Sequence, residues 1–577
     1  MSDPLIAPAS GRFRLSPALS ARAVLVALAA ICAVAAIANL ASREFFWLGQ
    51  VAVFVLLVAT ALTLAASTRC MATAFFVVAG FTQLLEVAAR QKLARLQQTL
   101  SYQDLIILQG LGWWGAWDLF LQYVPALNPE LFSIAATTVA LMTLATLEWV
   151  LTRHGGWRPS WLHFVIVALA ASACWLAFWN SSYVKAVSVQ SAPFQLFSRA
   201  PLRLSVLIGG AHDHALLQSK LTATPAADHP IVRAAENSAS LPIACPHCPD
   251  VVIVHLESTT DPSFVSDFSE APTLASFLDA GRPGRSGPLS VNIWGGFSWV
   301  SEFEVLCGIE HRLFGKSGSA APILVSPFMR QCMPTHLKTL GYETHAVYTT
   351  AKSWLNVGSA FKRYGIDRIY DVYDLKLEKN LASNRPAAVG VRDDVFYAKA
   401  LEVLRKPSQG PRFIFVSTNW NHGPHGEPIK VAFPGPFDPN TSSSPILRDY
   451  VNRLNDTVTH LAEFERSVHT LARPVAVLAY GDHQPGFPMV FDPHFVRSLP
   501  SPDMAKQQTI YRFSMRGALE APIHEPQRIE RLASQFLAWS GIPPSNTLAL
   551  VDRLRLTCGP TLCSGAAANS MISVMAR

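Results

Sequence analysis

What this chain of 577 residues has least of is charge: Asp, Glu, Lys and Arg make up 15% of it, while 50% is hydrophobic. With a mean hydropathy of +0.25 it is too apolar for an ordinary soluble protein, and it is long enough for two or more domains. Internal repeats, heptads and nucleic-acid-binding motifs are also missing, which sets aside a solenoid, a coiled coil and a nucleic-acid partner. The net charge of +7 is small for the size, and Arg and Lys close to apolar segments explain part of it.

The apolar excess is concentrated in five nearly charge-free windows, 23–41, 45–66, 71–87, 131–151 and 162–180. Each is close to the roughly 20 residues that cross a ~30 Å hydrocarbon core, so an all-α bundle of five transmembrane helices is predicted over 1–182. Four further windows and a polar, Pro-bearing N-terminus argue against a cleaved leader. Arg12, Arg14, Arg22, Arg69, Arg153 and Arg158 would be cytoplasmic, while Arg43, Arg90, Lys92 and Arg95 pull the other way. Residues 102–125 hold Trp113, Trp114 and Trp117 but also Asp104 and Asp118, and read as an interfacial helix. Five spans then put everything after about 182 outside the cytoplasm. A sixth span would reverse this.

Six of the nine cysteines lie in the polar two-thirds of the chain, an even set that suits an oxidising compartment. The expected pairs are Cys245 with Cys248, Cys558 with Cys563, and Cys307 with Cys332. Cys245-Pro-His-Cys248 could also be a redox motif or half a zinc site, but a redox reading needs a helix directly after the first Cys, and here a strand begins at Val251.

Residues 183–249 read as a linker. From 250 to 545, strand-like runs (251–255, 344–348, 413–417, 475–479) alternate with helical ones (273–278, 299–306, 394–405, 447–471), the pattern of an α/β domain with a mostly parallel sheet. Residues 546–577 read as a tail with a local disulfide. Two of the strands end abruptly in metal-ligand residues, Glu257 after VVIVHL and Asp482-His483 after VAVLAYG. Strand ends are where such sheets build their sites. Between them, Gly295-Gly296 precede Ser298 at the start of a helical stretch. Separately, Glu257 reads as a surface or capping residue and Ser298 as a helix N-cap. Together they read as carboxylates and one imidazole around a divalent ion, with the Ser298 oxygen as fourth ligand and activated nucleophile. His422 and His425, in the Gly/Pro-rich loop 421–428, are candidates for proton transfer or phosphate contact. His255, one strand step from Glu257, is a core histidine or a support for the ligands.

Four strings, HLES at 255–258, SWVSEF at 298–303, NHGP at 421–424 and YGDHQP at 480–485, resemble the lipoteichoic acid synthase and phosphoglycerol transferase group of the alkaline phosphatase and sulfatase superfamily. The five-span layout and the run 92–105 are similar too. The resemblance implies an alkaline-phosphatase-like domain in which Glu257, Ser298, Asp482 and His483 hold one metal ion, Mn²⁺ first, with Zn²⁺ or Mg²⁺ as alternatives. It further implies that Ser298 is the nucleophile and that His422 contacts the transferred head group. The reaction would move phosphoglycerol from a phospholipid donor to an envelope glycan or polymer through phospho-Ser298, in a multi-pass protein of the bacterial plasma membrane whose catalytic domain lies in the periplasm or outside.

The sequence departs from the group in two places. Ser298 stands where Thr is usual, and Trp354-Leu355-Asn356 lacks the Arg of the group's Trp-X-Arg, which leaves the head group open, with Lys352 or Arg363 as substitutes. A phosphoethanolamine transferase would use nearly the same site. A true sulfatase needs Cys or Ser before X-Pro-X-Arg, and the nearest string, Cys332-Met-Pro-Thr-His336, has no Arg. A non-catalytic glycan-binding or scaffold protein would have lost a ligand, and none is lost.

Overall fold

The structure is a computed structural model that describes residues 245–260, 284–378, 390–423, 425, 445–485, 508–517, 523–524, 526–543, 545–556, 558 and 565–576. All of them fall in one compact unit of the chain. The five expected spans, the interfacial helix 102–125, nearly all of the linker and the helix at 273–278 lie outside the described residues. Among the described residues no helix is long and apolar enough to cross a membrane.

One mixed sheet organises the domain. Its strands are β1 (Asp250–Leu256), β2 (Arg285–Ser290), β3 (Glu343–Val347), β4 (Arg368–Tyr370), β5 (Arg412–Ser417), β6 (Val475–Gly481), β7 (Gln508–Met515), β8 (Ile523–His524) and β9 (Gln527–Arg528). Their order is β4-β3-β5-β1-β6-β7-β2-β8, with β9 also on β2. The run β4-β3-β5-β1-β6 is parallel, and β7 is antiparallel to both β6 and β2. The expected parallel sheet is therefore present, extended on one side by antiparallel strands.

β1, β5 and β6 are buried along their whole length, as central parallel strands covered on both faces must be. Their β-branched runs suit that position, and alternation of side chains divides them between two cores. Val251, Ile253, Phe413, Phe415, Leu478 and Tyr480 face one core. Val252, Val254, Leu256, Ile414, Val416, Val477 and Ala479 face the other.

The helices are α1 (Ser298–Cys307), α2 (Ala321–Leu324), α3 (Met333–Thr339), α4 (Val357–Tyr364), α5 (Asp393–Arg405), α6 (Pro445–Val468), α7 (Leu532–Trp539), α8 (Asn546–Leu556) and α9 (Gly565–Ala576). α5 and α6 cover the second core through Phe396, Val403, Leu454 and Leu461. α1, α3, α4, α7, α8 and α9 cover the first, through residues such as Phe303, Leu337, Phe361, Phe536, Val551 and Met571. The segment expected to be a C-terminal tail is thus part of the core: Leu548, Val551 and Leu554 of α8 and Ile572 and Met575 of α9 are buried. Its composition hid this, because Arg553 and Arg555 interrupt one helix and the other is mostly small residues.

Disulfides join Cys245 to Cys248 and Cys307 to Cys332. The second ties the end of α1 to the residue before α3. Cys558 is also disulfide-bonded, and its expected partner Cys563 lies outside the described residues.

Candidate active site

Because β3, β5, β1 and β6 are parallel, the loops that follow them leave the same end of the sheet, where α/β folds place ligands. β1 and β6 are neighbours with Leu256 opposite Gly481, so the next residues, Glu257 and Asp482, emerge side by side. Gly481 is required by close approach: a Cβ there would lie 1.9 Å from the carbonyl oxygen of Thr259. The two strand ends are then laced together. Asp482 Oδ1 accepts the backbone N–H of Ser258 at 2.7 Å and of His483 at 2.8 Å.

Ser298 reaches this point from α1. Before it the chain turns sharply through Gly295 (φ 67°), Gly296 (φ 154°) and Phe297 (φ 68°). A non-glycine residue in the left-handed region costs on the order of 1–2 kcal/mol, a strain held here by the surrounding contacts. Gly295 N–H donates to Gln484 O at 3.2 Å, and Ser301 Oγ, one turn into the helix, donates to Asp482 O at 2.7 Å. Phe297 offers no side-chain cap to the helix, so no side chain takes up the N–H groups at the start of α1.

The side chains converge. Ser298 Oγ lies 3.2 Å from Glu257 Oε2 and 3.2 Å from His483 Nε2. His483 Nε2 is 3.2 Å from Asp482 Oδ2 and 3.7 Å from Glu257 Oε1. His483 Nδ1 faces Gln484 O at 2.8 Å and must donate to it, so Nε2 is the nitrogen turned toward the carboxylates. Ser258 Oγ donates to Glu257 Oε1 at 2.7 Å and fixes that carboxylate. Asp482 is fully buried, yet its Oδ2 has no well-aligned hydrogen bond. Burial opposes ionisation of Asp482, but His483 and His255 outweigh it and hold the carboxyl well below its usual range. An ionised carboxylate, a second carboxylate, an imidazole nitrogen and a hydroxyl oxygen thus face one another around a buried acceptor without a well-aligned hydrogen bond. That donor set fits a divalent cation.

His255 enters the same cluster. Its ligand atom, one from Glu257 and one from Asp482 all lie within 4.8 Å of one another. Its Nε2 is 3.2 Å from Asp482 Oδ2, and its Nδ1 is 3.2 Å from the Tyr480 hydroxyl and 3.7 Å from Glu302. Burial would lower the pKa of this ring, but the carboxylates of Asp482, Glu302 and Glu257 raise it to about 9. Glu302, on α1, is pushed up to about 7 by burial, against the pull of His255 and the Tyr348 hydroxyl.

The other expected residues, apart from Arg363 on α4, lie on loops at the same sheet end, and none makes a polar contact with the Ser298 cluster among the described residues. His422, in the loop after β5, is exposed, and its Nδ1 meets Gly423 O at 2.6 Å, so Nε2 is the nitrogen open to proton exchange. His425 Nε2 donates to Asn421 O at 2.9 Å, and its ring packs edge-on against Tyr450. Burial, followed by Arg453, takes its pKa down to about 3, so it is a neutral brace for the loop. After β3, Trp354 is half-buried against the first core, and Lys352 Nζ pairs with Asp374 at 3.2 Å. Arg363 donates to Pro327 O at 3.2 Å.

Sequence reasoning missed what holds the 419–425 loop. Asp393 accepts the Trp420 N–H at 3.3 Å and the Thr457 hydroxyl at 2.7 Å. Arg453, paired with Asp449 at 2.6 Å, donates to His422 O at 3.1 Å. Neither residue carried a local signal, although Glu302 could have been found from its place one turn below Ser298.

With this geometry in view, the comparisons with known proteins can be set beside it. Residues 249–511 match the family model described as Sulfatase. This part of the chain is similar to the domains of that family. Among curated proteins, an uncharacterized protein of Haemophilus influenzae is 26% identical over 295 residues, 49% of this chain and 52% of its own length. The capsular polysaccharide biosynthesis protein RkpI of Rhizobium meliloti is 26% identical over 245 residues, 42% of this chain and 40% of its own. The chain spans about half the length or less of these curated relatives. Among solved structures, the phosphoglycerol transferase GacH of Streptococcus pyogenes, in complex with sn-glycerol-1-phosphate, is 17% identical with a TM-score of 0.43, over 63% of this chain and 91% of that one.

Proposed function

We propose that the protein is a membrane-anchored, metal-dependent phosphotransferase that moves a phosphoglycerol group from a phospholipid to an envelope glycan or polymer through a phosphodiester on Ser298. The observation that carries this reading is the meeting of Ser298 Oγ with Glu257 Oε2 and His483 Nε2, each at 3.2 Å, beside Asp482 Oδ2, which no well-aligned hydrogen bond holds. Glu257, Asp482, His483 and Ser298 would hold one divalent cation, Mn²⁺ first, with Zn²⁺ or Mg²⁺ as alternatives. When bound, the ion lowers the pKa of the Ser298 hydroxyl and offsets the negative charge of the phosphoryl group.

The ionised Ser298 oxygen attacks the donor phosphorus. The Ser298 O–P bond forms, the bond from phosphorus to the diacylglycerol oxygen breaks, and His422 passes its proton to the departing oxygen. An acceptor hydroxyl then attacks the same phosphorus, gives its proton to His422 and releases Ser298. The first-turn N–H groups of α1 face the anionic phosphoryl group during both steps. Lys352, Trp354 and His425 would shape the pocket for the head group from neighbouring loops. Disulfides among the described residues suit a domain outside the cytoplasm. The expected spans would keep it at the surface of a bacterial plasma membrane, where its donor is concentrated. The name of the Rhizobium relative favours a glycan acceptor.

The test is to supply the full chain and Mn²⁺ with phospholipids labelled in glycerol or in ethanolamine and to measure diacylglycerol release. Release from the glycerol donor, lowered at least about a thousand-fold in Ser298→Ala, is the expected result. Release from the ethanolamine donor alone would make the protein a phosphoethanolamine transferase, and release from neither would leave a binding domain.

A further inference from the structure

A buried polar chain runs beneath the site and links the metal-binding end of β6 to the helix that carries the nucleophile. His255 stands at its centre, 1% exposed, with Nε2 3.2 Å from Asp482 Oδ2. Its other nitrogen faces the Tyr480 hydroxyl at 3.2 Å and the Glu302 carboxylate at 3.7 Å. Glu302 in turn accepts the Tyr348 hydroxyl on both oxygens, at 2.9 and 3.0 Å. Phe415 and Tyr480 pack edge-on against the imidazole and fix its plane. Both nitrogens of the ring therefore face protein groups. His483 differs: its Nδ1 is tied to a backbone carbonyl, and its Nε2 faces Ser298.

We propose that His255 is a positioning residue, which turns Asp482 Oδ2 toward the cation and ties that carboxylate through Glu302 to α1, one turn below Ser298. It is not itself a ligand, and the single imidazole ligand is His483. This inference rests on the metal-dependent reading of Ser298 and deepens it. Asp482 Oδ1 is already held by two backbone N–H groups, so the orientation of Oδ2 depends on what stands beside it, and His255 stands there. Groups that orient a ligand in this way typically account for 10–100-fold in metal affinity.

The experiment titrates the full-length protein with Mn²⁺ alone and records the pulsed electron paramagnetic resonance of the bound ion. Asp482→Ala is the control for the underlying reading: affinity equal to wild type in that variant means that the metal site itself is misplaced, whatever His255 does. With that control binding poorly, His255→Leu is expected to bind Mn²⁺ about 10–100-fold more weakly than wild type. His255→Gln, which keeps an amide donor near the position of Nε2, recovers most of the loss. The bound ion shows one imidazole nitrogen in the wild type and still one in His255→Gln. Two imidazole nitrogens in the wild type, one of them lost in His255→Gln, would make His255 a ligand and overturn the proposal. Wild-type affinity in His255→Leu would overturn it as well. The nitrogen count of the wild type needs no variant, so the proposal stays exposed to test even if His255→Leu fails to fold.

Discussion

Gly481→Ala should damage the site without touching any ligand. The added Cβ would sit 1.9 Å from Thr259 O and 3.2 Å from Thr509 Cβ, both reached across strand-end backbone. Carbon–oxygen contacts of this kind settle at about 3.3 Å, so the Glu257–Thr259 segment must move away from β6 by more than about 1 Å. That movement pulls on the Ser258 N–H to Asp482 Oδ1 bond at 2.7 Å, the Asp482 N–H to Leu256 O bond at 3.3 Å and the Thr509 hydroxyl to Gly481 O bond at 2.8 Å. At about 1 kcal/mol for each bond lost, the cost is roughly 3 kcal/mol. In a domain of this size that is a fall in Tm of about 6 °C. The movement also separates Glu257 from Asp482, so Mn²⁺ affinity measured by calorimetric titration should drop at least about tenfold. A variant with wild-type Tm and wild-type affinity would refute the claim that the two strand ends are locked at contact distance.

Two further outcomes follow from the described core. Burial raises the pKa of Asp393 to about 7 against the pull of Thr457 and two backbone N–H groups. Below the ordinary carboxylate range both folded and unfolded chains are protonated and Asp393 is neutral to stability. As pH rises toward 7 the unfolded chain loses its proton first, so folding is progressively disfavoured, by up to about 4 kcal/mol once pH exceeds the folded pKa. Asp393→Asn should flatten this decline in a series of thermal melts between pH 4 and 8, and an unchanged slope would count against it. The Cys307–Cys332 bridge closes a loop with a sequence separation of 25, so replacing both cysteines by Ala should cost about 3 kcal/mol, read as a lower denaturation midpoint. A midpoint equal to wild type would mean that the bridge constrains nothing.

The candidate ligands were legible because buried parallel strands are apolar along their whole length, so a carboxylate or imidazole directly after one stands out. Glu257 and Asp482-His483 were visible for that reason, and so were β1, β3, β5 and β6. The antiparallel side was hidden. β2 is Arg-Ser-Gly-Pro-Leu-Ser, and β7 carries Arg512, whose charge is buried against Glu465 at 3.3 Å. No local pattern reports a partner supplied from α6. Arg453 looks like an ordinary cation on the solvent side of a long amphipathic helix, yet it is 1% exposed because it braces the His422 loop. His255 shows the same limit from the other direction. Strand alternation placed it inside, and only the packing of β1 against β6 and α1 showed that this interior borders the site.

The account stands most directly on the chemistry of one oxygen. The full chain, incubated with Mn²⁺ and glycerol-labelled phospholipid in the absence of acceptor, can be quenched in acid, digested and mapped by mass spectrometry. The account predicts a phosphoglycerol adduct on Ser298, lost in Ser298→Ala and discharged when acceptor is added. Diacylglycerol release with an unmodified Ser298, or an adduct on another residue, would contradict it.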